Sequence, residues 1–205
     1  MAHERHLRAP GRVRHLLLRD EGTAPNVNDP AAGDDETYRL CTELIALGEW
    51  RFAVDCMRRK VNRARRSMPA NALMQLRLLS QYASILELTA AFGEAEFIRH
   101  KSIEIVESGH VTPEDALDAF LKYGLLLARN RNYTAAIPHL KEAIRRAEEL
   151  DAVAPLEQQI ILAKAWKGLM QAYEGNGDLL QSPEALDALD AVKNRIRYLI
   201  FSMSR

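Results

Sequence analysis

From about Asp35 to the end of the chain, apolar residues recur at i, i+3, i+4 and i+7, and glycine, proline or asparagine interrupts that rhythm at near-regular intervals. The interruptions fall at Gly48, Pro69, Gly93, Gly109 to Pro113, Asn130 to Asn132, Pro155, Gly175 to Gly177 and Pro183. They cut the chain into helices of roughly 14 to 20 residues. Two starts are written out in full. Thr112-Pro113-Glu114-Asp115 supplies a capping hydroxyl, a proline at the first helical position and acids in the first turn, and Ser182-Pro183-Glu184 repeats that logic. Helices this short, joined by turns, fold as antiparallel hairpins. One hairpin leaves an apolar face uncovered, so several must stack.

The clearest hairpin is Phe120, Tyr123, Gly124 and Leu127 followed by Tyr133, Ala136, Leu140 and Ala143. Gly124 and Ala136 fall where two helices must cross, and small residues there let the backbones approach while large ones fill the space around them. Partial copies surround it: Leu40, Cys41, Leu44, Gly48, Trp50 and Ala53; then Leu79, Tyr82, Ala83, Leu86, Phe92 and Ala95; and last Trp166, Leu169, Met170, Tyr173, Gly177 and Asp178. Equivalent positions are Cys41, Ala83, Gly124 and Met170, separated by 42, 41 and 46 residues.

These residues resemble the tetratricopeptide repeat (TPR), whose pattern of aromatic, Leu-Gly, aromatic, turn, aromatic and alanine is matched position by position in the 120–143 copy. A unit near 42 exceeds the usual 34 or so, and so resembles the long-helix variety. The resemblance implies an all-α solenoid of about four hairpins, a right-handed superhelix, over about residues 36–203, and the capping helix then extends the domain to 205. Residues 1–35 are expected to form a flexible or extended N-terminal arm. Trp50, Trp166, Cys41 and Cys56 fall on positions that face the interior. Pro138 lies inside the second helix of the best copy, which predicts a late start or a kink. Pro183 predicts a shifted, lengthened closing helix with a buried stripe of Leu186, Leu189, Val192, Ile196, Leu199 and Met203. Ile200 and Phe201 widen that stripe, so a homo-oligomer seam at the C-terminal helix is an alternative to a plain cap.

Charge narrows the partner. Lys and Arg total 28 and so do Asp and Glu, which argues against a polyanion binder and leaves only local patches. Residues 1–19 sum to +4, 20–36 to −6, 51–66 to +6 and 94–118 to −5. The 51–66 run, with Arg58, Arg59, Arg63 and Arg66, is a secondary basic patch that reads first as a solvated helix face. No aromatic platform accompanies it, so no nucleic acid is expected. No apolar run approaches the roughly 20 residues of a membrane span. Two cysteines point to a reducing compartment. The expected location is the cytoplasm, with a mitochondrial alternative from the five arginines of residues 1–19.

Catalytic signatures are missing: no G-x-S-x-G, G-x-x-x-x-G-K-[ST], G-x-G-x-x-G or H-E-x-x-H. Glu107-x-x-His110 occurs once and at a helix end, and His3-Glu4-Arg5-His6 lies in the arm, so no metal site, no cofactor and no enzyme is expected. In the TPR family the first helices line a concave groove. The resemblance assigns to it Arg77, Ser80, Gln81 and Ser84, then Asp118, Lys122 and Arg129, then Lys164, Lys167 and Gln171. A basic, amide-rich groove suits an extended or helical segment carrying Asp, Glu or a terminal carboxylate. The chaperone-type carboxylate clamp is incomplete, since Thr42 and Gln81 stand where its asparagines would be. The expectation is a protein-interaction adaptor, with a subunit of a larger assembly or a peptide-sensing regulator as alternatives.

Overall fold

The computed structural model describes residues 32–67, 70–150, 154–178 and 180–203, with side chains from Glu36 onward. The expected arm, residues 1–35, otherwise lies outside the described residues, but helix begins at Ala32, inside its boundary. Eight helices are described: α1 Ala32–Ala46, α2 Trp50–Ser67, α3 Ala72–Leu88, α4 Phe92–Glu107, α5 Pro113–Arg129, α6 Tyr133–Glu149, α7 Pro155–Asn176 and α8 Ser182–Met203. They pair in sequence as four hairpins, and there is no strand among the described residues.

Curvature follows from which helices touch across hairpins. The odd-numbered helices contact one another in series, α1 to α3, α3 to α5 and α5 to α7, whereas no two even-numbered helices approach as closely among the described residues. The odd helices therefore form the inner, concave layer and the even helices the splayed outer layer.

The repeat positions hold the hairpins together. Cys41, Ala53, Ala83, Leu86, Ala95, Leu127, Ala136, Leu140 and Ala143 are all fully buried. At the α5–α6 crossing the backbones come so close that a Cβ on Gly124 would stand 2.7 Å from Leu140 Cγ. Two glycines read as breakers do something else. Gly93 lies inside α4, and the turn before it uses Thr89 to Ala91, with Ala90 in the left-handed region at φ 58°. Gly175 lies inside α7, where a side chain would collide with the Tyr133 ring. The chain ends α7 two residues later, at the left-handed Gly177.

Three expectations are corrected. The helix around Pro138 does not start late: α6 runs unbroken from Tyr133 to Glu149 with the proline inside. Pro138 is on the exposed face, where water can satisfy the carbonyl that loses its partner. Trp50 is not core. It is 48% exposed and stacks beneath the Arg51 guanidinium at 5.0 Å. The stripe of α8 is also displaced: Ala185 and Leu189 are buried, Val192, Ile196 and Leu199 half-buried, and Leu186 and Met203 exposed. With only α7 alongside, α8 has one neighbour to bury against.

Candidate functional site

Arg77, Ser80, Gln81 and Ser84 are spaced i, i+3, i+4 and i+7, which puts them on one face of α3. Asp115, Asp118, Ala119 and Lys122 have the same spacing on α5. The two faces oppose each other across a cavity of about 460 Å³, with Arg99 and Ser102 of α4 on its wall and Tyr38 of α1 also lining it. Such a volume lies within the range of small-ligand and side-chain pockets.

Local rules place the acids. Thr112 caps α5 by accepting the Asp115 backbone N–H at 3.2 Å, and its hydroxyl donates to Asp115 Oδ2 at 2.8 Å. That fixed carboxylate receives both arms of Arg77, from Nε and Nη2, each at 3.3 Å. One turn further on, Lys122 Nζ stands 2.7 Å from Asp118 Oδ2. Ser80 Oγ joins the two helices: it donates to Asp118 Oδ2 and accepts from Lys122 Nζ, both at 3.3 Å.

Arg99 reaches in from the outer layer and is 2% exposed. Its guanidinium donates to Glu87 Oε1 at 2.8 and 3.1 Å, to Ser80 Oγ at 3.2 Å and to Ser84 Oγ at 3.1 Å. Glu87 also pairs with Arg129 at 3.3 Å through its second oxygen. This network was missed in the sequence. The signal was present: Arg99 occupies a position in the buried stripe Ala95, Arg99, Ser102, Ile103 and Val106, where a charge demands a partner.

Of the expected groove residues, Arg77, Ser80, Gln81, Ser84, Asp118 and Lys122 line this cavity. Arg129 sits beyond it, on Glu87. Lys164, Lys167 and Gln171 form an exposed stripe on α7, opposite its buried Leu162, Ala165 and Leu169, and lie outside the cavity. Where a basic groove was expected, Arg77, Lys122 and Arg129 each face an acid, so the α3–α5 part is close to charge-balanced. Lys164 and Lys167 have no ion pair among the described residues. One polar atom stands out: the buried Oε1 of Gln81 has no hydrogen-bond donor among the described residues.

The secondary patch lies on α2, in the outer layer. Arg58 is engaged by Asp55 at 3.0 Å, Glu94 at 3.5 Å and the Tyr82 hydroxyl at 3.1 Å, so it joins two repeats. Arg59, Arg63 and Arg66 are exposed. Cys41 is fully buried, and a hydrogen bond with the half-buried Cys56 together with that burial pushes its thiol well above the ordinary range, which keeps it protonated. No cluster of three metal-ligating side chains occurs among the described residues, and no described helix is long and apolar enough to cross a membrane.

No protein-family model matches the sequence. No curated protein matches it either. Solved structures do. Aspartyl phosphate phosphatase F from Bacillus subtilis is similar at a TM-score of 0.63 and 18% identity, over 82% of this chain and 42% of that one. The MamA RS-1 ArsTM double mutant gives 0.55 and 17%, over 80% and 77%. A Podosopora anserina putative kinesin light chain with nearly identical TPR-like repeats gives 0.53 and 14%, over 82% and 98%. By its fold, this chain is a helical-repeat solenoid. Its hairpins are similar to the TPR-like repeats of the kinesin light chain structure, and the 120–143 residues carry that resemblance.

Proposed function

We propose that the protein is an interaction scaffold whose concave face takes a segment of a partner protein bearing Asp, Glu or a terminal carboxylate. One observation carries this reading. On the inner layer, Lys164, Lys167 and Gln171 form an exposed polar stripe whose two lysines have no intramolecular acid among the described residues. Exposed lysines on the inner wall of a curved solenoid add their fields and favour an anionic segment laid along it. The neighbouring α3–α5 cavity gives that segment a place to seat a side chain. Fold alone does not fix function, so the step is tested directly. Affinity capture from cells with the full chain is expected to retain a partner that the Lys164→Glu, Lys167→Glu double variant loses. Equal capture by both would show that the partner does not bind through this groove.

A second reading, a subunit of a larger assembly, draws on the outer end of α8, where Tyr198 is 70%, Phe201 61% and Met203 73% exposed. Large exposed apolar side chains of this kind are common at protein interfaces. Size-exclusion chromatography with light scattering separates the readings: the scaffold elutes as one monomeric species, and a subunit alone, or a homo-oligomer through α8, does not.

A further inference from the structure

We infer that Cys41 and Cys56 are a modification site: a low-molecular-weight disulfide oxidises them to a reversible bond across the α1–α2 hairpin, with Cys56 reacting first. The site lies between α1 and α2 and works whatever the concave face binds.

The chain has two cysteines, 15 residues apart in sequence, and folding brings their sulfurs together. Cys41 is fully buried on α1. Its thiol reaches the Ala53 carbonyl oxygen at 3.5 Å, and it is also hydrogen-bonded with Cys56 and with the Met57 backbone. Ala53, Cys56 and Met57 are spaced i, i+3 and i+4, so they share one face of α2. The Cys41 sulfur is therefore seated on the turn of α2 that carries Cys56. Helices crossing on an alanine approach to about 8 Å between axes. With Cα atoms about 2.3 Å from each axis, facing residues fall within the span of about 4.4–6.8 Å that a disulfide bridges. Packing alone does not ask for sulfur here, because Ala83 and Gly124 fill the equivalent position in the next two repeats.

Access decides which thiol reacts first. Cys41 has no exposed surface, and the burial and hydrogen bond that keep it protonated make it a poor first nucleophile. Cys56 is half-buried, and the next turn of its helix carries Arg59 and Lys60, cations that favour the attacking thiolate. The Cys56 thiolate bonds to one sulfur of the incoming disulfide RSSR, whose S–S bond breaks, and the other sulfur leaves as RS− to take up the proton that Cys56 gave to water. The Cys41 sulfur then attacks that of Cys56, and the second RS− departs with the Cys41 proton. Two protein thiols are oxidised to one disulfide, and RSSR is reduced to two molecules of RSH. The bond closes a loop of about 15 residues, which constrains the unfolded chain. Among the described residues α1 packs only on α2 and α3, so the staple fixes a sparsely supported helix and, with it, the Tyr38 side of the cavity.

The test incubates the full chain in native buffer with oxidised glutathione and follows it by intact mass spectrometry. The natural protein is expected to lose two hydrogens in mass and to regain them with dithiothreitol. Cys41→Ala, which installs the residue that the next repeat carries as Ala83, should fold and stop at a single glutathione adduct on Cys56. Cys56→Ser should stay unmodified over the time in which the natural protein is consumed, because its remaining sulfur is buried. The oxidised natural protein should melt about 6–12 °C above its reduced form, and Cys41→Ala should show no such rise. A natural protein that stays unmodified, stops at the adduct, or joins two chains through Cys56 overturns the pairing. So does a bond that closes only in denaturant, or an oxidised form that melts no higher than the reduced one. Modification of Cys56→Ser at the natural rate overturns the order of attack.

Discussion

Arg99 on α4 is 2% exposed and places its guanidinium 2.8 Å from Glu87 Oε1 on α3, clamping the two helices of the second hairpin from inside. A charge taken out of water is tolerable only while its partner remains. Glu87→Gln leaves the buried cation short of its carboxylate and is expected to cost about 3–5 kcal/mol in urea denaturation. Arg99→Met, which removes the buried charge and keeps the apolar stem, should cost clearly less. Equal costs would mean that the pair behaves as an ordinary surface bridge.

The contact between Gly124 and Leu140 makes an opposite pair of glycine substitutions. Gly124→Ala drives a methyl into Leu140 Cγ and is expected to destabilise by about 1–3 kcal/mol. At Gly93, inside α4, a new Cβ meets nothing within 4 Å, so Gly93→Ala should stabilise by about 0.5–1 kcal/mol through the lower helix cost of alanine. Thermal melts of the two variants should move in opposite directions, and a shared direction contradicts the packing described.

His139 packs against Tyr123 at 4.7 Å and Phe120 at 5.9 Å. Burial holds its pKa below the ordinary 6.5, with Glu107 pulling up and His100 pushing down. The folded state thus resists protonation that the unfolded chain accepts. Its contribution is complete above about pH 6.5 and shrinks as pH falls toward the depressed value. Denaturation at pH 7.5 and 5.5 should show a loss of stability on acidification that is smaller in His139→Gln. An unchanged loss would place the titration elsewhere.

The helical repeat was legible because helix periodicity, caps and crossing glycines are local: Thr112, Gly124 and Ala136 each act within one hairpin. What escaped depends on neighbours one repeat away. Arg77 meets Asp115 38 residues on, and Arg129 meets Glu87 42 residues back. No periodicity announces such pairs, so an apparently basic groove turned out balanced over α3 and α5. Trp50 and Leu186 were misplaced for a related reason. Both belong to the end hairpins, where a repeat position lacks the neighbour that would bury it.

The claim that the concave layer is the binding face is tested most directly by site-specific photo-crosslinking in cells. A photoreactive residue at Gln171, on the inner layer, is compared with one at Arg59, on the outer layer. One dominant protein adduct is expected from position 171, lost on Lys164→Glu, Lys167→Glu substitution, with none of that adduct from position 59. The same adduct from position 59 alone, or one at 171 indifferent to the charge reversal, would contradict it.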